Sequence, residues 1–80
     1  MDPFRAAVLE ILASAGQPFT WYQIELRLTS ITLQVRPNLV DALSEMSAQG
    51  MVSTSSDSHG LRYALREEGR ALLEAYRRIQ

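Results

Sequence analysis

The chain lacks cysteine and lysine, and it has a single histidine, His59. Without cysteine it can form neither a disulfide nor a thiolate metal site. It also lacks an apolar run long enough to cross a bilayer, and its N-terminus lacks the basic segment and apolar core of a secretory signal. These absences predict a small cytoplasmic protein with no membrane segment, no metal and no cofactor.

The composition is that of an ordinary soluble domain. Of 80 residues, 46% are hydrophobic and 21% are charged, so residues 1–80 are predicted to form one domain. A domain this small has a marginal core, and self-association is the simplest source of additional stability.

Charge is unevenly distributed along the chain. The net charge of −1 argues against a strongly electrostatic nucleic-acid binder. Residues 1–60 hold three arginines against six acids, whereas residues 61–80 hold five arginines against three acids. Positive charge is therefore concentrated in the last quarter of the chain.

Two helices are predicted in the first third of the chain. Asp2 and Pro3 have the residue types of an N-cap and a first helical position, and Gly16 ends the apolar pattern that follows. Thr20 and Gln23 have the spacing of a capping box, which predicts that a second helix begins here. Residues 29–36 are β-branched and fit either an extended connector or a distorted turn.

A third helix is predicted to begin at Pro37 and to end at Gly50. Its predicted apolar side consists of Leu39, Val40, Leu43 and Met46.

Residues 50–65, "GMVSTSSDSHGLRYAL", alternate between apolar and polar on both sides of a run of small polar residues, which predicts a β-hairpin. Leu61, Tyr63 and Leu65 are expected on the inner face of its second strand. The tail "REEGRALLEAYRRIQ" predicts a fourth helix.

Three stretches of this sequence resemble the winged helix-turn-helix family of transcriptional regulators, especially PadR-like and MarR-like members. They are "TWYQIELRL", "LVDALSEMSAQGMV" and "LRYALREEGRALLE". The resemblance implies a mainly α fold with a small β component: a three-helix core, a β-hairpin wing and a C-terminal fourth helix. It also implies that the third helix lies in the major groove of double-stranded DNA.

The resemblance assigns outward positions on the third helix, namely Pro37, Asn38, Asp41, Ser44 and Glu45. From these positions, and from the cations beside them, the DNA contacts are expected to be Arg36, Asn38, Ser44 and the wing residue Arg62. Arg62 has no acid at helical spacing, so it is a candidate phosphate ligand.

Asp41 and Glu45 leave a second function open. Two carboxylates on one exposed helical face oppose the approach of DNA phosphates. They could instead form an acidic patch for a basic protein partner, which would make the chain a protein-interaction module that does not bind DNA. The simpler alternative is a solvated face.

In the family, the first and last helices pair two subunits, and these helices are more apolar here than one core face requires. A homodimer is therefore expected, although the last helix could simply pack on the chain's own core. The predicted interface residues are Phe4, Leu9, Leu73, Tyr76 and Ile79.

Catalysis is not expected. His59 has Asp57 nearby but no second strong ligand, whereas a metal site needs three or four and a catalytic histidine needs a nucleophile and an orienting group. The serines around it are typical turn formers. The segment is therefore interpreted as a turn, and the chain is not predicted to be an enzyme.

Overall fold

The computed structural model describes residues 2–31 and 36–79. The predicted order of three helices, a hairpin and a fourth helix is confirmed, with one additional short strand before the second helix. The elements are α1 Pro3–Ala15, β1 Phe19–Thr20, α2 Trp21–Leu28, α3 Leu39–Ala48, β2 Val52–Asp57, β3 Gly60–Leu65 and α4 Glu67–Ile79. Among the described residues, no helix is long and apolar enough to span a membrane.

The predicted ends of α1 and the start of α2 are confirmed. The carboxylate of Asp2 accepts a hydrogen bond from the backbone N–H of Arg5 at 2.9 Å. Gly16 ends α1 in the left-handed region, with φ of 72°. Thr20 and Gln23 form both bonds of the capping box at the start of α2.

Helix α3 begins two residues later than predicted. Pro37 lies outside the helix, and Asn38 is the N-cap, its side-chain oxygen accepting from the N–H of Asp41 at 3.0 Å. An asparagine can supply this bond and a proline cannot, so the cap falls on Asn38. Residues 32–35, part of the ambiguous connector, lie outside the described residues.

Gly50 follows the C-cap of α3, as predicted, and has a φ of 80°. The N–H of Met51 donates to the carbonyl of Met46 at 3.0 Å, and the N–H of Gly50 donates to that of Ser47 at 3.1 Å. This pair of bonds is a Schellman motif, which satisfies the last carbonyls of the helix. It turns the chain directly into β2.

The three strands form one antiparallel sheet in the order β1-β3-β2. In β1, Phe19 pairs with Tyr63 of β3, which adds a third strand beside the hairpin. Strands β2 and β3 pair from Val52 opposite Leu65 out to Asp57 opposite Gly60, which confirms the hairpin.

The core lies between the helices and the inner face of the sheet. Two residues predicted to be buried are not: Val40 is 49% exposed and Leu61 is 45% exposed. Other residues of α3 fill its inward side, and Leu61 lies near the hairpin tip, where Gly60 and its cross-strand partner Ser56 are also exposed. The largest fully buried side chains are Leu9, Ile24, Leu28, Leu43, Met46, Leu73, Val8 and Val52.

The glycine of the "REEGR" stretch is a packing residue. The N–H of Arg66 donates to the carbonyl of Met51 at 3.0 Å, which brings the start of α4 against the end of α3. Gly69 is buried at this contact, where a Cβ would collide with the carbonyl oxygen of Met51 and lie 3.0 Å from Leu65 Cδ1. The motif therefore fixes how α4 packs beside the hairpin.

Candidate nucleic-acid interface

Helix α3 presents a continuous face that the core does not use, which we call the outward face of α3. It consists of Val40, Asp41, Ser44, Glu45 and Ala48, all exposed. Ser44 therefore lies where the sequence places it. Val40 was missed, because an apolar residue next to Leu39 is ordinarily assigned to the core.

The predicted DNA contact Arg36 is held by an ion pair to α2. Its Nη2 donates to both carboxylate oxygens of Glu25, at 3.0 and 2.9 Å. Both side chains are partly exposed, so water and salt screen the pair. The eleven-residue separation of the two residues spans the α2–α3 connection, and no local sequence pattern predicts such a pair.

Glu25 and Arg36 line an open groove of about 530 Å³ between the starts of α2 and α3. Trp21 also lines this groove and is 48% exposed. Its ring meets that of Tyr22 edge-on, with centroids 5.8 Å apart. The groove therefore joins an aromatic surface to the N-terminal end of the outward face of α3.

Asn38 caps the N-terminus of α3, in addition to the DNA contact predicted for it. Its Oδ1 accepts the capping bond from Asp41, which leaves the side-chain Nδ2 as a possible donor to a ligand. Replacing Asn38 would therefore weaken the helix start as well as any contact it makes.

The sequence analysis found no acid at helical spacing from the wing residue Arg62. In the structure Arg62 does have an acidic partner, on the neighbouring strand. Its Nε donates to Asp57 Oδ2 at 2.7 Å, from one strand of the hairpin to the other. Asp57 Oδ1 accepts from the backbone N–H of His59 at 2.8 Å, which confirms that the segment is a turn. The bond from Arg62, followed by that from His59, lowers the pKa of the Asp57 carboxyl below its usual value of 3.8. Over residues 2–31 and 36–79, no group of three or more metal-ligating side chains is found.

Both carboxylates of the predicted acidic patch on α3, Asp41 and Glu45, are exposed. Glu45 accepts a hydrogen bond from Arg5 Nη2 at 2.8 Å. Arg5 also donates to Asp2, and this side-chain bond raises the pKa of the guanidinium. The bond between α1 and α3 is an exposed ion pair, with the Glu45 side chain 55% exposed, so it offsets the charge of Glu45 only in part.

Three predicted interface residues are part of the chain's own core. Phe4, Leu9 and Leu73 are buried at 3%, 0% and 2% exposure, which corrects the view that Leu9 and Leu73 are surplus to the core. Tyr76 is half-buried, and Ile79 is 84% exposed.

The apolar surface that α4 leaves open is a stripe of Leu72, Tyr76 and Ile79, which we call the α4 stripe. These residues have the i, i+4, i+7 spacing of one helical face. Beside them lies an open groove of about 670 Å³, bordered by α1, α4 and the end of α2, which we call the α1–α4 groove. There Arg77 bonds Glu10 across the two helices, with Nε 3.1 Å from Oε2.

A helix-turn-helix followed by a β-hairpin defines the winged-helix fold. The chain is similar to the crystal structure of a PadR family transcription regulator from hypervirulent Clostridium difficile R20291, with a TM-score of 0.77 and 19% sequence identity. The match covers 96% of this chain and 85% of that one, so the likeness extends over the whole fold. No protein-family model and no curated protein matches the chain.

Proposed function

We propose that this chain is a DNA-binding transcriptional regulator whose third helix enters the major groove. The observation that carries the proposal is the outward face of α3, which lies free of packing in a fold that also supplies a wing. The similarity to a PadR family transcription regulator supports the same function.

The two arginines proposed to contact DNA can exchange their carboxylate partners for phosphates. Arg36 pairs with Glu25 and Arg62 pairs with Asp57, and all four side chains retain solvent exposure. Exposed ion pairs of this kind contribute about 0–1 kcal/mol, so phosphates can replace the carboxylates at small cost. The exchange would present two positive charges to the DNA even though the net charge of the chain is −1.

The experiment is fluorescence anisotropy with a labelled random duplex of roughly 20 base pairs, titrated from about 50 to about 200 mM salt. We expect binding that weakens with salt. Arg36→Gln and Arg62→Gln should each reduce the slope of log K against log salt by about 0.9. Arg77→Gln, which removes the same charge at the α1–α4 groove, is the matched control and should leave the slope unchanged. Absence of binding at low ionic strength would contradict the proposal.

The protein-interaction alternative is less well supported, because the similar solved structure is that of a transcription regulator.

We further propose that the chain acts as a homodimer through the α4 stripe and the adjoining α1–α4 groove. Exposed contiguous apolar surface typically marks an interface. A two-fold dimer would place two copies of α3 about 34 Å apart, on successive turns of the major groove.

A further inference from the structure

The outward face of α3 contains one branched apolar side chain, Val40. Four other residues of α3, namely Leu39, Ala42, Leu43 and Met46, are buried and supply the helix's share of the core. Val40 is 49% exposed, and it lies one helical turn before Ser44 on the same face. Stability of the domain therefore does not explain an apolar residue at this position.

The surroundings of Val40 suit an apolar contact. Val40 borders the groove between α2 and α3, whose lining combines the apolar side chains of Trp21, Pro37 and Leu39 with polar and charged ones. A helical valine has one strongly preferred χ1 rotamer, so little side-chain freedom is lost on contact. Asp41, the next residue, is an acceptor and disfavours phosphates. The position is therefore suited to meet a base edge rather than the DNA backbone.

One base presents an apolar group in the major groove, namely thymine with its C5-methyl. We propose that Val40 is a specificity-determining residue that contacts a thymine methyl in each half-site. This inference rests on the proposed function, because it requires α3 to lie in the major groove.

The test compares thymine with deoxyuridine, which pairs identically but lacks the methyl group. A duplex is first selected from a random pool by the wild-type protein, and its thymines are then replaced one at a time. We expect one position in each half-site at which the replacement weakens binding about fourfold, the effect of one buried methyl group. Elsewhere in the site, the replacement should have little effect.

Val40→Ser should bind the thymine and deoxyuridine duplexes equally well, because it removes the apolar contact. Ser44→Ala, on the same face, retains Val40 and should keep the ratio of the two affinities, even where loss of its hydroxyl weakens binding to both duplexes. Circular dichroism of both variants checks that these exposed substitutions leave the fold intact.

The outcomes separate the two proposals. The role of Val40 is overturned if no deoxyuridine replacement weakens binding, or if the selected site contains no thymine. Either result leaves the proposal of DNA binding intact. Discrimination that persists in Val40→Ser assigns the methyl contact to another residue and also overturns the role of Val40. Failure to bind any duplex overturns the proposed function and this inference together.

Discussion

Arg36 and Glu25 join the start of α3 to α2, with Arg36 Nη2 2.9 and 3.0 Å from the two carboxylate oxygens. The pair lines the groove between α2 and α3, the two helices of the helix-turn-helix. In the free protein, the guanidinium of Arg36, which is proposed to contact DNA, is therefore bonded to Glu25. The same relationship holds at the wing between Asp57 and Arg62.

Glu25→Gln should strengthen DNA binding. The substitution removes a carboxylate that competes with phosphate for Arg36 and repels the DNA backbone. We expect a several-fold lower Kd for random duplex at low salt, an effect that diminishes as salt rises. Anisotropy titrations at two salt concentrations measure it.

Glu10→Gln is the matched control for that experiment. It makes the same change in charge and also frees an arginine, Arg77, but at the α1–α4 groove. An equal gain in affinity from Glu10→Gln would show that overall charge, rather than the release of Arg36, is responsible.

Arg62→Gln should raise the pKa of Asp57 towards its usual value. The bond from Arg62 is the largest cause of the lowered pKa, and the bond from His59 remains in the variant. A carboxyl whose pKa is lowered by folding stabilises the native state above its unfolded pKa. That contribution is lost as the pH falls below 3.8 and through the folded pKa.

Carboxyl carbon NMR shifts, recorded against pH, measure this change. Asp2 is the internal control: burial acts to raise its pKa, but its bonds to Arg5 lower it overall, and Arg62 is not among the causes. An unchanged titration of Asp57 in the variant would show that the ion pair does not persist in solution.

Gly69→Ala should destabilise the fold. At an exposed helical site this change would raise the free energy of unfolding by up to about 1 kcal/mol. At Gly69, however, the new Cβ collides with the Met51 carbonyl, and such overpacking costs about 1–3 kcal/mol. We therefore expect net destabilisation in a urea titration. Ala71→Ser, at an exposed position of α4, should change stability by less than about 0.5 kcal/mol. A more stable Gly69→Ala would contradict the packing described.

Ile79→Asp should weaken the proposed homodimer. If Ile79 is buried between subunits, its loss costs about 1.5–3 kcal/mol, which raises the dimer Kd at least tenfold. Sedimentation velocity over a micromolar concentration series measures this change. Leu61→Asp, an equivalent change at the exposed hairpin tip, should leave the association unaltered. A wild-type protein that remains monomeric throughout would disprove the dimer.

Local signals in the sequence predicted most of the fold. The caps at Asp2 and Thr20 and the helix end at Gly50 depend on neighbouring residues, so they can be identified without knowledge of the tertiary structure. The two-residue strand at Phe19 could not, because it is too short for an alternating pattern and depends on pairing with Tyr63.

The candidate site was harder to predict than the fold. Ser44 could be placed because the resemblance assigns it an outward position on the third helix, and it is exposed there. Periodicity alone assigned Val40 to the core. Which apolar positions of α3 remain outside the core depends on how the other α3 residues pack, and this packing cannot be read from helical periodicity. The partners of Arg36 and Arg62 come from a different helix and the opposite strand, so helical spacing could not reveal them.

The most direct test of the proposed interface is a backbone amide chemical-shift map of the protein titrated with duplex DNA. We expect the largest shift changes in residues 38–48 and 57–62, which form α3 with its N-cap and the wing from its tip to Arg62. Small changes are expected in α1 and in the α4 stripe at constant oligomeric state. Changes centred on the α1–α4 groove, or none at low salt, would contradict the proposed interface.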